Sequence, residues 1–466
     1  MERVLLAWPF ATLDDAALGN VRSFLEGERA PGSSRDVGVA IAADGDEALA
    51  ARARELTRDL DPDASFGCLV KPAGERDPSY NRNLLLLAGA GSRVIMTDGD
   101  IACRPARLAS RARRESGEAG GSRAAPAYSD ARYAPPVTIC RDRAEAVSLV
   151  EPADAGGDFD VLEAHLAYLG ADTTDLFPDE GVPGGFVFMT SPGTYGDSGF
   201  SLARGSLSLD GPARDRLMAN GYERCKLSRE TVRVPERDVV SPSTRFLGMQ
   251  AGYDARNYAP PFLPVGRNQD GLYALLARAL LPGSLTAYPA FGLLHAPVEP
   301  RSHDPATLTS FEPSRAELFM AFAAGLCPPA AMTDPRERTA ELGARFRGAS
   351  GLSASDLVDL AYGPLADAAM ARAETIQGLL ERYARGNGTW ARDAEEHLDN
   401  VFAFLREPAS VFTVDGGARS VGAVRADLDR FGRFLSVWPE LFDRAKEMNR
   451  DGRGIARPLA GYRALS

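Results

Sequence analysis

Between Asn81 and Pro105 the chain reads NRNLLLLAGAGSRVIMTDGDIACRP, and this stretch restricts the possible folds more than any other. Tyr80 to Ala90 holds good helix formers, with Leu84, Leu85, Leu87 and Ala88 at helical spacing, which predicts a helix with one buried face. Gly89 and Gly91 flank Ala90, so the helix can stop there in a left-handed turn. Val94-Ile95-Met96 is a short apolar run with β-branched members, the pattern of a strand covered on both faces. Thr97-Asp98-Gly99-Asp100 follows directly. Ligands of α/β sheets sit beyond the carboxyl ends of the strands. Two carboxylates at i and i+2 there can face one ligand, with Gly99 letting the backbone bend between them. Such a pair suits a hard cation that also holds phosphate oxygens. An Asp-Gly-Asp is equally at home in a plain turn. The chain carries a second copy, Asp44-Gly45-Asp46, after the strand-like run Val37 to Ala42. There Asp46 precedes Glu47-Ala48-Leu49-Ala50 and reads as a helix N-cap.

The flanking sequence repeats the alternation. Val4 to Trp8 reads as a strand, Glu28 to Asp36 as a loop, Asp46 to Leu60 as a helix and Phe66 to Val70 as a strand. Strands alternating with helices predict parallel pairing with right-handed crossovers.

Strand, helix, strand, an Asn-Arg-Asn helix and a strand ending in Asp-x-Asp together resemble the nucleotide-binding half of GT-A glycosyltransferases. These are the nucleotide-diphospho-sugar transferases of the family-2-like group, in which an Arg-Asn pair often opens that helix. Arg82-Asn83 and Asp98-Gly99-Asp100 match in type, order and spacing. The family's usual Pro-x-Tyr/Phe-Asn opening is replaced by Ala42-Ala43-Asp44-Gly45, which leaves Asp44 to serve base and ribose recognition. The resemblance covers the first 105 residues well and the next 200 loosely. It implies an α/β GT-A domain with a mainly parallel sheet over residues 1–310, divided into a nucleotide-binding half (1–105) and an acceptor half (106–310). It also implies a metal-dependent glycosyltransferase of the hexosyltransferase type. A sugar would move from a nucleoside-diphosphate sugar to an acceptor hydroxyl, with inversion. Asp44, Arg82, Asn83, Asp98 and Arg267 would contact the donor.

In the acceptor half, Arg107 to Ser129 is polar and biased, which predicts a surface loop. A helix within Gly156 to Leu169 carries His165, read as a surface or internally satisfied residue. Gly185 to Thr190 is a strand, and Ser191 to Phe200 reads as a Gly- and hydroxyl-rich loop able to face an anion or a sugar. The stiff strip Tyr258 to Pro264 leads through Arg267-Asn268-Gln269-Asp270 into a helix over Leu272 to Leu281. Asp270 is either the N-cap or an acid facing the acceptor. Gln269-Asp270 resembles the Glu-Asp pair from which inverting GT-A enzymes take their general base. Pro289 to Pro297 is an apolar run containing His295, read as a core or turn residue or as the His that completes the family's metal shell. With it, Asp98, Asp100 and His295 would hold a divalent metal, Mn²⁺ or Mg²⁺, and the imidazole tilts the choice to Mn²⁺.

From Pro313 the pattern becomes helical: Arg315 to Leu326, Arg336 to Phe346, Ala354 to Leu360, Ala366 to Arg385, Thr389 to Leu405 and Val421 to Met448. Residues 311–466 are therefore read as an α-helical domain that packs on the catalytic half, self-associates or docks an acceptor. The net charge of −11 argues against sequence-independent nucleic-acid binding and leaves room for a local basic groove that takes a diphosphate. Five scattered cysteines without zinc-type pairing, no signal-like start and no apolar run near ~20 residues fit a cytoplasmic protein with no transmembrane segment. Only Lys71, Lys226 and Lys446 are lysine, and this Arg and Ala bias suggests a GC-rich bacterial genome. Two other classes fit parts of the chain. A haloacid-dehalogenase-like phosphatase also places Asp-x-Asp after a strand, but Thr190 and Gly196-Asp197-Ser198 lie close together for its later motifs. A non-catalytic sugar-nucleotide fold acting as a scaffold is the other. A nucleotidyltransferase is a further class, but this sequence lacks the Gly-rich N-terminal loop expected for sugar-phosphate nucleotidylation.

Overall fold

The computed structural model describes residues 3–10, 19–24, 36–44, 65–71, 78–109, 126–153, 159–178, 180–199, 203–298, 301–385, 388–414 and 417–450. The helix expected over Asp46 to Leu60, the loop expected over 28–35, most of that over 107–129, and the side chain of Asp44 lie outside them.

Among the described residues, fifteen strands build the two larger sheets, which meet at the Asp-Gly-Asp turn. In chain order they are β1 (Arg3–Phe10), β2 (Asp36–Asp44), β3 (Ser65–Lys71), β4 (Arg93–Thr97), β5 (Ile101–Leu108), β6 (Ala127–Tyr128), β7 (Thr138–Ile139), β8 (Val150–Pro152), β9 (Phe186–Thr190), β10 (Gly193–Asp197), β11 (Glu230–Arg233), β12 (Val239–Ser241), β13 (Gln250–Asp254), β14 (Ser284–Tyr288) and β15 (Gly292–His295). The larger sheet has the order β3-β2-β1-β4-β13-β9-β14-β12-β6. Its first four strands are parallel, as their apolar runs lead one to expect. Beyond them β13 runs antiparallel to both β4 and β9, and β12 antiparallel to β14. Parallel pairing returns at β9 beside β14 and at β12 beside β6, so the whole sheet is mixed. The smaller sheet, β7-β11-β10-β15-β5-β8, is antiparallel except for β10 beside β15.

Ser191 to Phe200 is not the expected wide loop. Gly193–Asp197 is a strand buried at every position. The glycines there serve close packing: a Cβ on Gly193 would lie 2.2 Å from the Arg233 carbonyl oxygen, and Gly196 has φ +101 with the His295 backbone against it.

The longer helices are α1 (Pro78–Ala88), α2 (Gln269–Leu280), α3 (Arg315–Gly325), α4 (Pro335–Ala349), α5 (Ala354–Tyr383), α6 (Gly388–Arg406) and α7 (Val421–Arg450). Sequence punctuation at Pro364 predicts two helices where α5 is one. Leu357, Ala361, Leu365 and Ala369 form one buried face across the proline. That burial outweighs the roughly 3 kcal/mol penalty of an interior proline. On one face of the larger sheet Leu85, Tyr253, Phe262 and Tyr273 pack with Trp438 and Phe442 of α7. The opposite face buries Trp8, Phe24, Ile41 and Ile95 with Phe291. Leu272 and Leu276 of α2 turn the other way, into a core with Phe319, Phe346, Leu357 and Phe431. The helix that carries Asp270 is therefore gripped between sheet and tail.

Candidate functional site

Thr97 ends β4 in the larger sheet and Ile101 starts β5 in the smaller one, so the Asp98-Gly99-Asp100 turn is the place where the chain crosses from one sheet to the other. The turn is tied down through its backbone. Asp98 N–H donates to Met249 O (2.7 Å), Ile101 N–H to Asp98 O (3.1 Å) and Asn20 Nδ2–H to Gly99 O (2.5 Å). Both carboxylates project from it, but to different partners.

Asp98 faces α1. Arg82 Nη2 donates to Asp98 Oδ1 at 2.7 Å and Arg82 Nη1 to the Gly248 carbonyl at 2.8 Å, while Asp270 Oδ1 stands 3.9 Å from Nη1. The guanidinium is buried and lies over the Phe262 ring, 5.6 Å from its centroid. Burial opposes its charge, yet Asp98 and Asp270 outweigh that and hold Arg82 above its ordinary value. Burial pushes the Asp98 carboxyl up to about 7, against the pull of Arg82. Arg82, expected as a donor contact, is instead the tie between two acids. Its neighbour Asn83 is committed too: its Nδ2 donates to Phe262 O and its Oδ1 accepts from Phe262 N–H, both at 2.8 Å. The amide that sequence places against the donor clasps the strip Tyr258 to Pro264, because that strip is buried without a strand partner for its backbone.

Asp100 faces the smaller sheet. The β5–β15 ladder sets His295 opposite Ile101, and Ala296 N–H donates to Asp100 O at 2.9 Å. His295 Nε2 then lies 3.0 Å from Asp100 Oδ2, with Arg301 Nη2 at 3.1 Å from the same oxygen. His295 Nδ1 is 2.7 Å from the Asp197 carbonyl, which can only accept, so Nδ1 carries a proton. With that proton fixed, the Nε2 lone pair and a carboxylate oxygen meet head on unless a positive species lies between them. A second proton or a metal ion meets this requirement. Burial would lower the pKa of His295, but the Asp100 carboxylate and Asp197 raise it overall. Burial likewise pushes Asp100 up, and His295 with Arg301 more than reverses it, leaving its carboxyl below the ordinary range. Asp197 is itself gripped by Arg229 through two 2.8 Å bonds.

Asp100 and His295 fit a divalent cation as two of its ligands. Among the described residues no three His, Cys, Asp or Glu side chains converge as a metal-holding group, and Asp98 turns to Arg82. Water and phosphate oxygens would have to complete the shell.

Asp270 is the second residue of α2; the N-cap is Asn268, left-handed at φ +61. Gly248 N–H donates to Asp270 Oδ2 at 3.2 Å, and a Cβ on Gly248 would stand 2.4 Å from Oδ1. Gln269 is buried and accepts from Ser79 Oγ. Arg267 is exposed just before the helix, and Asp44 is the last residue of β2. The fold therefore gathers Arg82, Asp98, Asp100, Asp270 and His295 at one sheet junction. Gly248, Asp197, Arg229 and Arg301 join them.

No family model matches the chain, and no curated protein matches it. Among solved structures it is similar to the mannosyltransferase PcManGT from Pyrobaculum calidifontis in complex with GDP-Man and Mn²⁺, at 12% identity over 94% of this chain and 88% of that one, with a TM-score of 0.31. It is also similar to S. aureus TarS 1-349 in complex with UDP, at 11% identity over 97% and 92% of the two chains, with a TM-score of 0.26.

Proposed function

We propose that the chain is a glycosyltransferase that moves a sugar from a nucleoside-diphosphate donor to an acceptor hydroxyl, with inversion. The observation that carries this reading is the Asp98-Gly99-Asp100 turn at the sheet crossover, with His295 Nε2 3.0 Å from Asp100 and Asp270 reached by the same guanidinium that binds Asp98. Asp100 and His295 hold the cation site, and Arg301 adds a second positive group beside it. A bound Mn²⁺ or Mg²⁺ supplies Lewis-acid charge opposite the departing diphosphate. Asp98 faces the donor ribose or shares the cation, with Asp44 and Arg267 as further donor contacts. Asp270 accepts the acceptor proton as the new bond forms. Arg82 and Asn83 position these groups rather than touch the donor.

Thermal unfolding with UDP, GDP, CDP and dTDP, each with and without Mn²⁺, tests the reading. A nucleotide at a hundredfold its Kd stabilises by about 2.7 kcal/mol. One nucleotide should raise the midpoint only with metal, and Asp100→Ala should remove the rise. No rise with any of the four would overturn the assignment. Hydrolysis of the matching sugar nucleotide separates an enzyme from a binding scaffold.

A further inference from the structure

His295 is supported on the side away from Asp100 by the end of β10. Asp197 is the last residue of that strand, one position beyond Gly196, which stands opposite His295 in the parallel β10–β15 ladder. The Asp197 carbonyl accepts from His295 Nδ1 at 2.7 Å, while its Oδ1 lies 3.6 Å from the same nitrogen. The carboxylate is engaged elsewhere. Arg229 Nε donates to Oδ2 and Arg229 Nη2 to Oδ1, both at 2.8 Å, and Gly199 N–H donates to Oδ1 at 2.7 Å. Asp197 is only 4% exposed. Behind the guanidinium, His303 Nδ1 stands 3.4 Å from Arg229 Nη1. The turn after Asp197 closes on the imidazole as well: a Cβ on Gly199, at φ +73, would lie 3.2 Å from His295 Cε1 and 2.4 Å from Met249 Sδ. Met249 in turn holds the Asp98 N–H through its carbonyl.

The Arg229–Asp197 pair is not needed to join its two segments. β10 and β11 are laddered from Thr194 opposite Arg233 to Asp197 opposite Glu230, and Ser198 N–H donates to Arg229 O at 2.7 Å. A buried ion pair also adds little net stability, since packed apolar side chains of similar volume often do as well or better. What two parallel N–H donors do supply is direction. They fix the plane of the carboxylate and keep it occupied. The backbone carbonyl of the same residue then stays the partner of Nδ1, and the imidazole is held from turning. A histidine that binds a metal ion depends on such a partner at its second nitrogen.

We propose that Arg229, acting through Asp197, is a positioning residue of the cation site: it holds the His295 ring so that Nε2 faces Asp100. The line of contact runs from Arg229 to Asp197 at 2.8 Å, from Asp197 to His295 at 2.7 Å and from His295 to Asp100 at 3.0 Å. Arg229 thus acts on the cation through two intermediaries and is not itself a ligand. The proposal rests on the reading of Asp100 and His295 as cation ligands.

Titration of the full chain with Mn²⁺ alone, followed by the loss of the free-ion electron paramagnetic resonance signal, tests it. Arg229→Lys keeps the charge but loses the two-pronged grip. Arg229→Gln combined with Asp197→Asn removes both charges together, so no buried carboxylate is left unpaired and the backbone carbonyl remains. Each should weaken Mn²⁺ binding by roughly 10–100-fold while a melting transition shows a folded chain. A folded variant of either kind that binds Mn²⁺ as tightly as the natural chain overturns the proposal. Asp100→Ala separates that result from a failure of the underlying reading. If the natural chain binds no Mn²⁺, or Asp100→Ala binds it as tightly, the cation site falls and the proposal with it. A second readout needs no metal. With ¹⁵N-labelled histidine only four imidazoles report, and the His295 signals are those that His295→Gln removes. The natural chain should show a slowly exchanging Nδ1 proton on His295, and both Arg229 variants should lose it. An unchanged His295 spectrum in both would mean that Arg229 does not set the ring, and would overturn the proposal whatever the metal does.

Discussion

Arg82 holds Asp98 at 2.7 Å and stands 3.9 Å from Asp270, so one buried guanidinium stabilises two acids assigned to different substrates. Replacing it with Met leaves both carboxylates without a cation. A buried pair broken on one side loses about 3–5 kcal/mol, and Arg82→Met should lose that much stability in urea unfolding. A loss below about 1 kcal/mol would show that the tie is incidental. Gly248 makes a sharper test of Asp270, because it binds Arg82 through its carbonyl and Asp270 through its N–H, and a Cβ would collide with the Asp270 carboxylate at 2.4 Å. Gly248→Ala should behave like Asp270→Asn, lowering kcat by roughly 10²–10⁴ while nucleotide affinity holds. An active Gly248→Ala with an inactive Asp270→Asn would mean that Asp270 acts elsewhere. Asp98, Asp100, Asp270 and His295 were legible in the sequence because residue type and order after a buried run carry information about strand ends. Gly248 and Arg229 were not, and Asp197 stood out only within the Gly196-Asp197-Ser198 run of the phosphatase reading. Their importance comes from contacts made across the fold, and no local pattern records such contacts.

Helix α1 is held by two distant parts of the chain, the strip Tyr258 to Pro264 and α7. Ser79 Oγ donates to Leu263 O at 2.9 Å, Asn83 clasps Phe262, and Asn449 of α7 donates from Nδ2 to the carbonyls of Leu87, Ala88 and Ala90 at 3.1, 3.0 and 2.9 Å. The last carbonyls of a helix have no partner within it, and Asn449 supplies them one from the tail. Asn449→Ala should therefore lower stability by about 1–2 kcal/mol in urea unfolding, with little change in nucleotide affinity. An unchanged unfolding midpoint would show that water replaces the amide without loss. The period of apolar residues disclosed α1, α2, β1 and β4, since each buries a face that its sequence already marks. It did not disclose β10, whose glycines and hydroxyls read as loop. At Gly193 and Gly196 the backbones of Arg233 and His295 come too close for a larger side chain. Pro364 misled in the opposite sense, because the apolar face of α5 continues through it.

At the scale of the whole molecule, three buried imidazoles sit in separate cores. His165 lies beside Thr190 under the larger sheet, His303 beside Arg229 after β15, and His397 on α6. Burial first, and for the last two nearby arginines, brings each down to about 4 from an ordinary 6.5. His397 shows why: Nδ1 donates to Thr309 O at 2.9 Å and Nε2 accepts from Arg372, so no lone pair is left for a proton. A base whose folded pKa is depressed stabilises the fold above its unfolded pKa and loses that stability as the pH falls towards its folded value. Between pH 6.5 and 4 the unfolded chain therefore binds up to three more protons at these sites. Asp98 in the metal-free protein works the other way: raised to about 7, it holds a proton in the folded state that the unfolded chain has released. His295, raised, is protonated in both states across this window and contributes no slope. The net difference is about two protons, so stability should rise with pH near 5 by about 2.7 kcal/mol per pH unit. Urea unfolding at pH 5.0, 5.5 and 6.0 measures that slope. His397→Gln keeps an acceptor for Arg372 and a donor for Thr309 but removes one titrating group, so its slope should fall by about 1.4 kcal/mol per pH unit. A slope that falls with pH, or one that His397→Gln leaves unchanged, would mean that these imidazoles take up protons in the folded state after all.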